Sequence, residues 1–347
     1  MARLIYTITA HDAGHELGDV LHHAAGMSRR GITHAKYRED GLLLDGVRVR
    51  TNTIVSAGQV ASIALDDAAD ARAGCSVAAE AGISARSAVE GLFEDESLVV
   101  VDKPAGMVMY PGPGHAGDTL GNVVLANLAA AGRPSTLHPV HRLDGGTSGV
   151  VVFAGNAHVQ HALQQALHTE DFVREYIALC EGVPGASDAP AIGDVGTLTC
   201  EDGEFVVDAP IARISYSPNV FAAVAPDDAR GKHARTRFSV EESFEAETPA
   251  GSCRVSRLRL RLETGRTHQI RIHLALIGHP LLGDATYGAG PFAYLDATGA
   301  ACTLVRPALH SSSVTFTHPL THERLHIACS LPEDLATLAT LAAAVTL

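Results

Sequence analysis

The chain is short of positive charge, and what it has is nearly all arginine. Lys and Arg together number 26 against 39 Asp and Glu, a formal net charge of −13, and the lysines are only Lys36, Lys103 and Lys232. Affinity for a polyanion comes largely from cations that displace counterions. A diffuse nucleic-acid binder is therefore excluded, and an RNA partner requires positive charge concentrated on one face. Arginine's planar fork suits recognition of phosphates and carboxylates. The six cysteines, Cys75, Cys180, Cys200, Cys253, Cys302 and Cys329, show no C-x-x-C spacing. That excludes the usual zinc and redox motifs and leaves small buried hydrophobes of a reducing compartment. No apolar run approaches the roughly 20 residues that span a bilayer. The opening MARLIYTITAHDAGHELG lacks the basic head and continuous apolar run of a secretory signal. A cytoplasmic protein without a membrane partner is expected.

What is present predicts about two domains, since 347 residues exceed the roughly 100 to 200 of one. Residues 1–66 read as a small module: a helical LGDVLHHAAG, the turn-cap MSRRG, and β-rich runs on either side of Asp45-Gly46, a hairpin signal. Arg29, Arg30, Lys36, Arg38, Arg48 and Arg50 gather there. Residues 67–88, rich in alanine and small residues, read as a linker. In 89–347, SLVVVDKPAGMVMYP predicts strand, Lys-Pro turn and strand. DTLGNVVLANLAAAG predicts a helix capped by Asp118 or Thr119 and ended by Gly132. GVVVFA and REYIALCEG read as strands, NAHVQHALQQALHT and the C-terminal LPEDLATLATLAAAVTL as helices. Arg257, Arg259 and Arg261 alternate with leucine, the period of a half-exposed strand with a basic ridge. With Arg254, Arg266 and Arg271 nearby, this is the predicted positive face. Strands and helices mix without strict alternation, which favours an α+β fold.

Three signals compete for the chemistry. GPGHAG, 112–117, matches G-x-G-x-x-G between a predicted strand and helix, but Pro113 removes a backbone donor and no acidic residue closes a second strand about 20 residues on. A glycine loop is preferred to a dinucleotide site. His138, His141 and Asp144 fall at three-residue intervals, a ligand spacing only on a helix, which Pro139 and the following glycines oppose. Ser148 lacks the G-x-S-x-G elbow of a hydrolase and is read as tying down a turn. There remains HRLDGGTSG, 141–149, a lone carboxylate on a glycine-rich turn that runs into a buried strand.

HRLDGGTSG, REYIALCEG and LETGRTHQIRIHLALIGHPLLGDATYG, in this order, resemble the RluA family of RNA pseudouridine synthases. The resemblance extends from LVVVDKPAG through GKHART and LHSSSVTFTHP to LPEDL, nearly all of 91–335. Residues 1–66 are similar to the small RNA-binding domain of ribosomal S-four type, so the chain resembles an α/β RNA-binding module followed by a mixed, mostly antiparallel sheet with flanking helices. The resemblance implies isomerisation of uridine to pseudouridine, with cleavage at N1, rotation of the base and rejoining through carbon 5, a redox-neutral reaction that requires no cofactor or metal. It assigns the nucleophile to Asp144, the paired guanidinium to Arg266 and the aromatic stacked on the base to Tyr176. RNA contacts are implied for Arg142 and His141 beside the nucleophile, and for Arg271, Lys232, Arg29, Arg30, Lys36 and Arg48. Ribosomal RNA is the expected partner, transfer RNA the alternative, and a non-catalytic RNA-binding factor the rival reading; a monomer is expected. The chain departs from the family pattern at Gly145-Gly146, Tyr110, Ser311 and Gln59.

Overall fold

The computed structural model describes residues 2–65, 89–112, 115, 117–133, 136–216 and 219–344. The predicted linker, 67–88, lies outside the described residues, as do 113, 114 and 116 of the GPGHAG loop.

Residues 2–65 build their own core. Strands Arg3–Thr7, Val60–Ala64, Leu42–Leu44 and Val47–Arg48 pair antiparallel in that order. Helices Leu17–His23 and Arg29–Lys36 pack Leu17, Leu21 and Ile32 against Leu42, Leu44 and Ile63. Ser28 caps the second helix, accepting from the Gly31 N–H at 3.0 Å. Asp45 and Gly46 both take positive φ, 52° and 81°, the twist that a two-residue hairpin requires.

The remainder is organised on an eleven-stranded sheet. Its main path runs Thr197–Glu201, Glu204–Asp208, Arg235–Thr248, Gly251–Leu262, Phe172–Glu181, Leu309–Thr317, Ser148–Ala154, Leu98–Lys103 and Glu90–Glu94. Every adjacent pair is antiparallel except Leu309–Thr317 on Ser148–Ala154, where His310 and Ser311 pair in parallel with Ser148 and Gly149. The fold is α+β with a mostly antiparallel sheet, as the pattern predicts. All seven residues of Ser148–Ala154 are buried, which explains their unbroken apolar run: the strand is covered on both faces. Val151 and Phe153 join one core with Leu120, Val124 and Leu128 of helix Leu120–Ala130. Val150, Val152 and Ala154 join another with Val159 and Leu163 of helix Ala157–Ala166. Thr119 and Asn156 cap these helices, and Gly132 follows the first at φ 72°. The C-terminal helix Glu333–Ala344 packs Leu335, Leu338 and Leu341 beside Phe244 and Val255.

Three expectations fail. Of the described cysteines only Cys180 is buried; Cys200 is exposed and Cys253, Cys302 and Cys329 are half-buried. Met107–Pro111 forms no strand, because after Pro104 the chain turns back to the Asp144 loop, with the Gly106 N–H bonded to the Gly145 carbonyl at 2.8 Å. The arginine ridge is real as a strand but is not a free positive face. Arg257 pairs with Glu241 and Glu242, Arg259 with Glu241 and Arg261 with Glu204, at 2.6 to 3.1 Å. Cross-strand glutamates neutralise it.

Candidate active site

Asp144 is carried on the turn between the short strand His138–Pro139 and the buried strand Ser148–Ala154, so its backbone is anchored on both sides. His138–Asp144 is not helical, and the three-residue spacing of histidines and aspartate aligns on no helix face. The Thr147 N–H closes the turn on the Asp144 carbonyl at 3.1 Å. At Gly149 only glycine fits: φ is 112°, and a Cβ would lie 2.1 Å from the Ser311 carbonyl oxygen. Ser148 is buried with its hydroxyl 3.0 Å from His310 Nδ1, which ties the turn to the parallel neighbour strand.

Lys103 sets the turn from below. Its fully buried ammonium donates to the carbonyls of Pro104, Gly145 and Thr147 at 3.0, 3.1 and 2.7 Å, using all three donors. Burial lowers its pKa to about 8, a fall held back by the negative charge of Asp144. In the sequence Lys103 belongs to the VDKPAG stretch of the family pattern, and nothing local there ties it to the Asp144 turn.

The guanidinium that faces the nucleophile is Arg271, not Arg266. Arg271 Nη1 stands 3.7 Å from Asp144 Oδ2, while Nε and Nη2 donate to the two oxygens of Asp284 at 2.7 and 2.8 Å. Asp284 is fully buried; burial alone would raise its pKa, but the Arg271 bonds and the Thr286 and Tyr287 N–H groups bring it below the usual carboxylate range. Arg266 donates instead to the His233 carbonyl at 2.8 Å. The cause is local. Buried Gln269 accepts from the Arg266 N–H at 3.0 Å and from the Thr264 hydroxyl at 2.7 Å, turning the loop before helix Gln269–Leu276. Arg266 is thereby left on the rim, and Arg271, inside the helix, faces inward.

His268 enters that helix in a left-handed conformation, φ 57°. Tyr287 donates to the Phe221 carbonyl at 3.1 Å and so accepts from His268 Nδ1 at 2.9 Å. Nε2 is turned toward Asp144 at 3.9 Å. Burial lowers the His268 pKa against the pull of Asp144, which keeps the ring neutral near pH 7.

Tyr176 lies on the central strand Phe172–Glu181 with its side chain buried, and burial raises its phenol pKa above 10. It remains a protonated phenol. Asp144, Tyr176, Arg266, His268 and Arg271 line one cavity of about 240 Å³, with Arg142, His141 and Arg174 also in the wall. The three predicted central residues are gathered, with Arg271 taking the place expected of Arg266.

Of the predicted RNA contacts, Arg142 is exposed at the cavity mouth. Arg29, Arg30, Lys36 and Arg48 are exposed on the N-terminal module. His141 and Arg271 are buried, so neither offers an outward charge. Lys232 lines a second groove of about 590 Å³ with Arg213, Tyr216 and Arg230, and this groove reaches the Asp144 cavity at Gly265–Thr267. Arg213 stacks over the Tyr216 and Phe221 rings at 5.0 and 5.2 Å. Arg230 is held by Asp228 at 2.6 Å, so the cations this groove offers are Arg213, Lys232 and Arg266.

A family model described as RNA pseudouridylate synthase matches residues 97–276. The ribosomal large subunit pseudouridine synthase D of Vibrio cholerae is 36% identical over 248 residues, 70% of this chain and 68% of that protein. The Xanthomonas campestris protein of the same name is 38% identical over 254 residues, 70% of this chain and 66% of its own length. Among solved structures, human RNA pseudouridylate synthase domain containing 4 superposes with a TM-score of 0.50 at 23% identity, covering 73% of this chain and 92% of that one, a likeness of fold.

Proposed function

The chain belongs to the RNA pseudouridylate synthase family, and we propose that it isomerises chosen uridines of large-subunit ribosomal RNA, with Asp144 as nucleophile. The observation that carries the reading is the carboxylate itself: a single Asp in a cavity of about 240 Å³, faced by a fixed guanidinium and a buried phenol. The names of the relatives support ribosomal RNA.

In this reading a uridine leaves its helix to reach the cavity, since its reacting atoms are inaccessible in a stacked strand. Arg271, 3.7 Å away, aims Asp144, and Asp144 acts as the covalent nucleophile while the N1 bond breaks. Tyr176 stacks on the loosened base beside carbon 5. Arg142 holds the RNA at the mouth. Arg266 lies where the cavity and the Lys232 groove meet, a position suited to the RNA backbone. The exposed Arg29, Arg30, Lys36 and Arg48 support an RNA-binding role for residues 1–66.

Tritium release from ribosomal RNA labelled at carbon 5 of uridine tests the reaction. Wild type is expected to release it, and Asp144→Asn to release none while still binding RNA. Mapping pseudouridines in total RNA with and without the gene assigns the target; a change confined to transfer RNA refutes the ribosomal assignment.

A further inference from the structure

Arg174 is a buried cation that no carboxylate pairs with among the described residues. It lies two residues before Tyr176 on the same face of the central strand and is 5% exposed. Its Nε and Nη2 are sheltered from solvent without a hydrogen-bond partner, and no carboxylate forms an ion pair with it among the described residues. Nη1 lies beside Gly265, where a Cβ would come within 3.1 Å of it.

His141 faces the same cavity with a second orphan donor. Its Nε2 accepts from the Val152 N–H at 3.2 Å, which places the ring proton of the neutral form on Nδ1, and Nδ1 is buried without a partner. Burial and the Arg174 charge push the His141 pKa down to about 3, so the ring donates one hydrogen bond and carries no charge. Buried donors are nearly always satisfied, and an isolated buried charge is costly. Three unanswered nitrogen donors in one wall, among the described residues, therefore indicate an absent anionic acceptor.

We propose that Arg174, seconded by His141, is a built site for one backbone phosphodiester of the RNA, the one adjoining the target uridine. The assignment rests on the pseudouridine synthase reading. A phosphodiester supplies the full negative charge and the several acceptor oxygens that a guanidinium engages in parallel; a uracil carbonyl supplies only a partial charge. Spacing agrees, because two residues along a strand span roughly 6.6 Å, about the reach from a base stacked on Tyr176 across its ribose to the phosphate. Arg174 then positions the nucleotide, and the fold tolerates the unpaired charge in order to receive it.

The test uses RNA binding by the full chain, measured by fluorescence anisotropy on the RNA segment identified by mapping. The phosphodiester 5′ or 3′ of the target uridine is replaced singly by a neutral methylphosphonate. In wild type one of the two replacements is expected to weaken binding about tenfold or more. In Arg174→Gln that same replacement should have no further effect, while one placed six nucleotides away weakens both proteins alike. The salt slope of binding should fall by about one in the variant. Arg174→Met should melt no lower than wild type, since it removes an unpaired buried charge; a markedly lower melting point would show a structural role and overturn the proposal. So would additive effects of variant and methylphosphonate, or a loss of turnover with unchanged affinity, which would assign the charge to the uracil. Because the cycle reads binding, it stands apart from turnover: a chain that binds RNA but isomerises none defeats the parent reading alone.

Discussion

Asp284 grips Arg271 through two parallel hydrogen bonds at 2.7 and 2.8 Å, and this buried pair leaves Nη1 as the group that meets Asp144. Two carboxylates thus share one guanidinium, the inner aiming it and the outer using it. Tyr287 completes the support, its ring 5.0 Å beneath the guanidinium carbon.

Arg271→Lys is expected to lower turnover about a hundredfold, since a lysine cannot hold both carboxylates in the same geometry and a small misplacement at the reacting centre has effects of that size. RNA affinity should change far less. Asp284→Ala strands a buried cation and should lower stability by about 3 to 5 kcal/mol. Single-turnover kinetics and urea unfolding separate the two effects; a positioning role for Asp284 predicts that Asp284→Asn, if folded, loses turnover more than affinity.

Activity should decline above pH 8. Lys103, depressed to about 8 by burial, loses its proton there, and with it one of three donors to the turn and the positive charge near Asp144. Arg does not deprotonate in this range. A folded Lys103→Arg should therefore lack the alkaline limb, whatever its absolute rate; a limb that persists unchanged would assign it to another group.

Acid should destabilise the fold before the carboxylates titrate. His141, His273 and His310 are buried with pKa values pushed down by burial to about 3, 4 and 4. Between pH 6.5 and about 4 the unfolded chain binds protons that the folded chain refuses, so stability falls as pH falls through this window. Each histidine contributes a slope of up to about 1.4 kcal/mol per pH unit. Urea unfolding at pH 7, 6 and 5 reads the sum; a flat profile would contradict neutral burial.

What the sequence alone determined was local or cumulative. The apolar run Val150–Ala154, a helix capped at Asp118 or Thr119, the Asp45-Gly46 hairpin and the joint occurrence of Asp144 and Tyr176 in motif order were all legible, because each depends on near neighbours or on a pattern spread along the chain. The tertiary structure alone decided which arginine serves the nucleophile. Arg266 and Arg271 are five residues apart in the same motif, and the choice turns on Gln269 bending the loop and on Asp284 arriving 13 residues later to take the second arginine. Likewise the Arg257–Arg261 ridge looked free until the register of its neighbour strand placed Glu241 and Glu242 opposite, and Lys103 became part of the site only where the sheet carried it under a turn 42 residues away. Charge is read from composition, but its compensation depends on pairings between distant segments, and these are fixed only when the core packs.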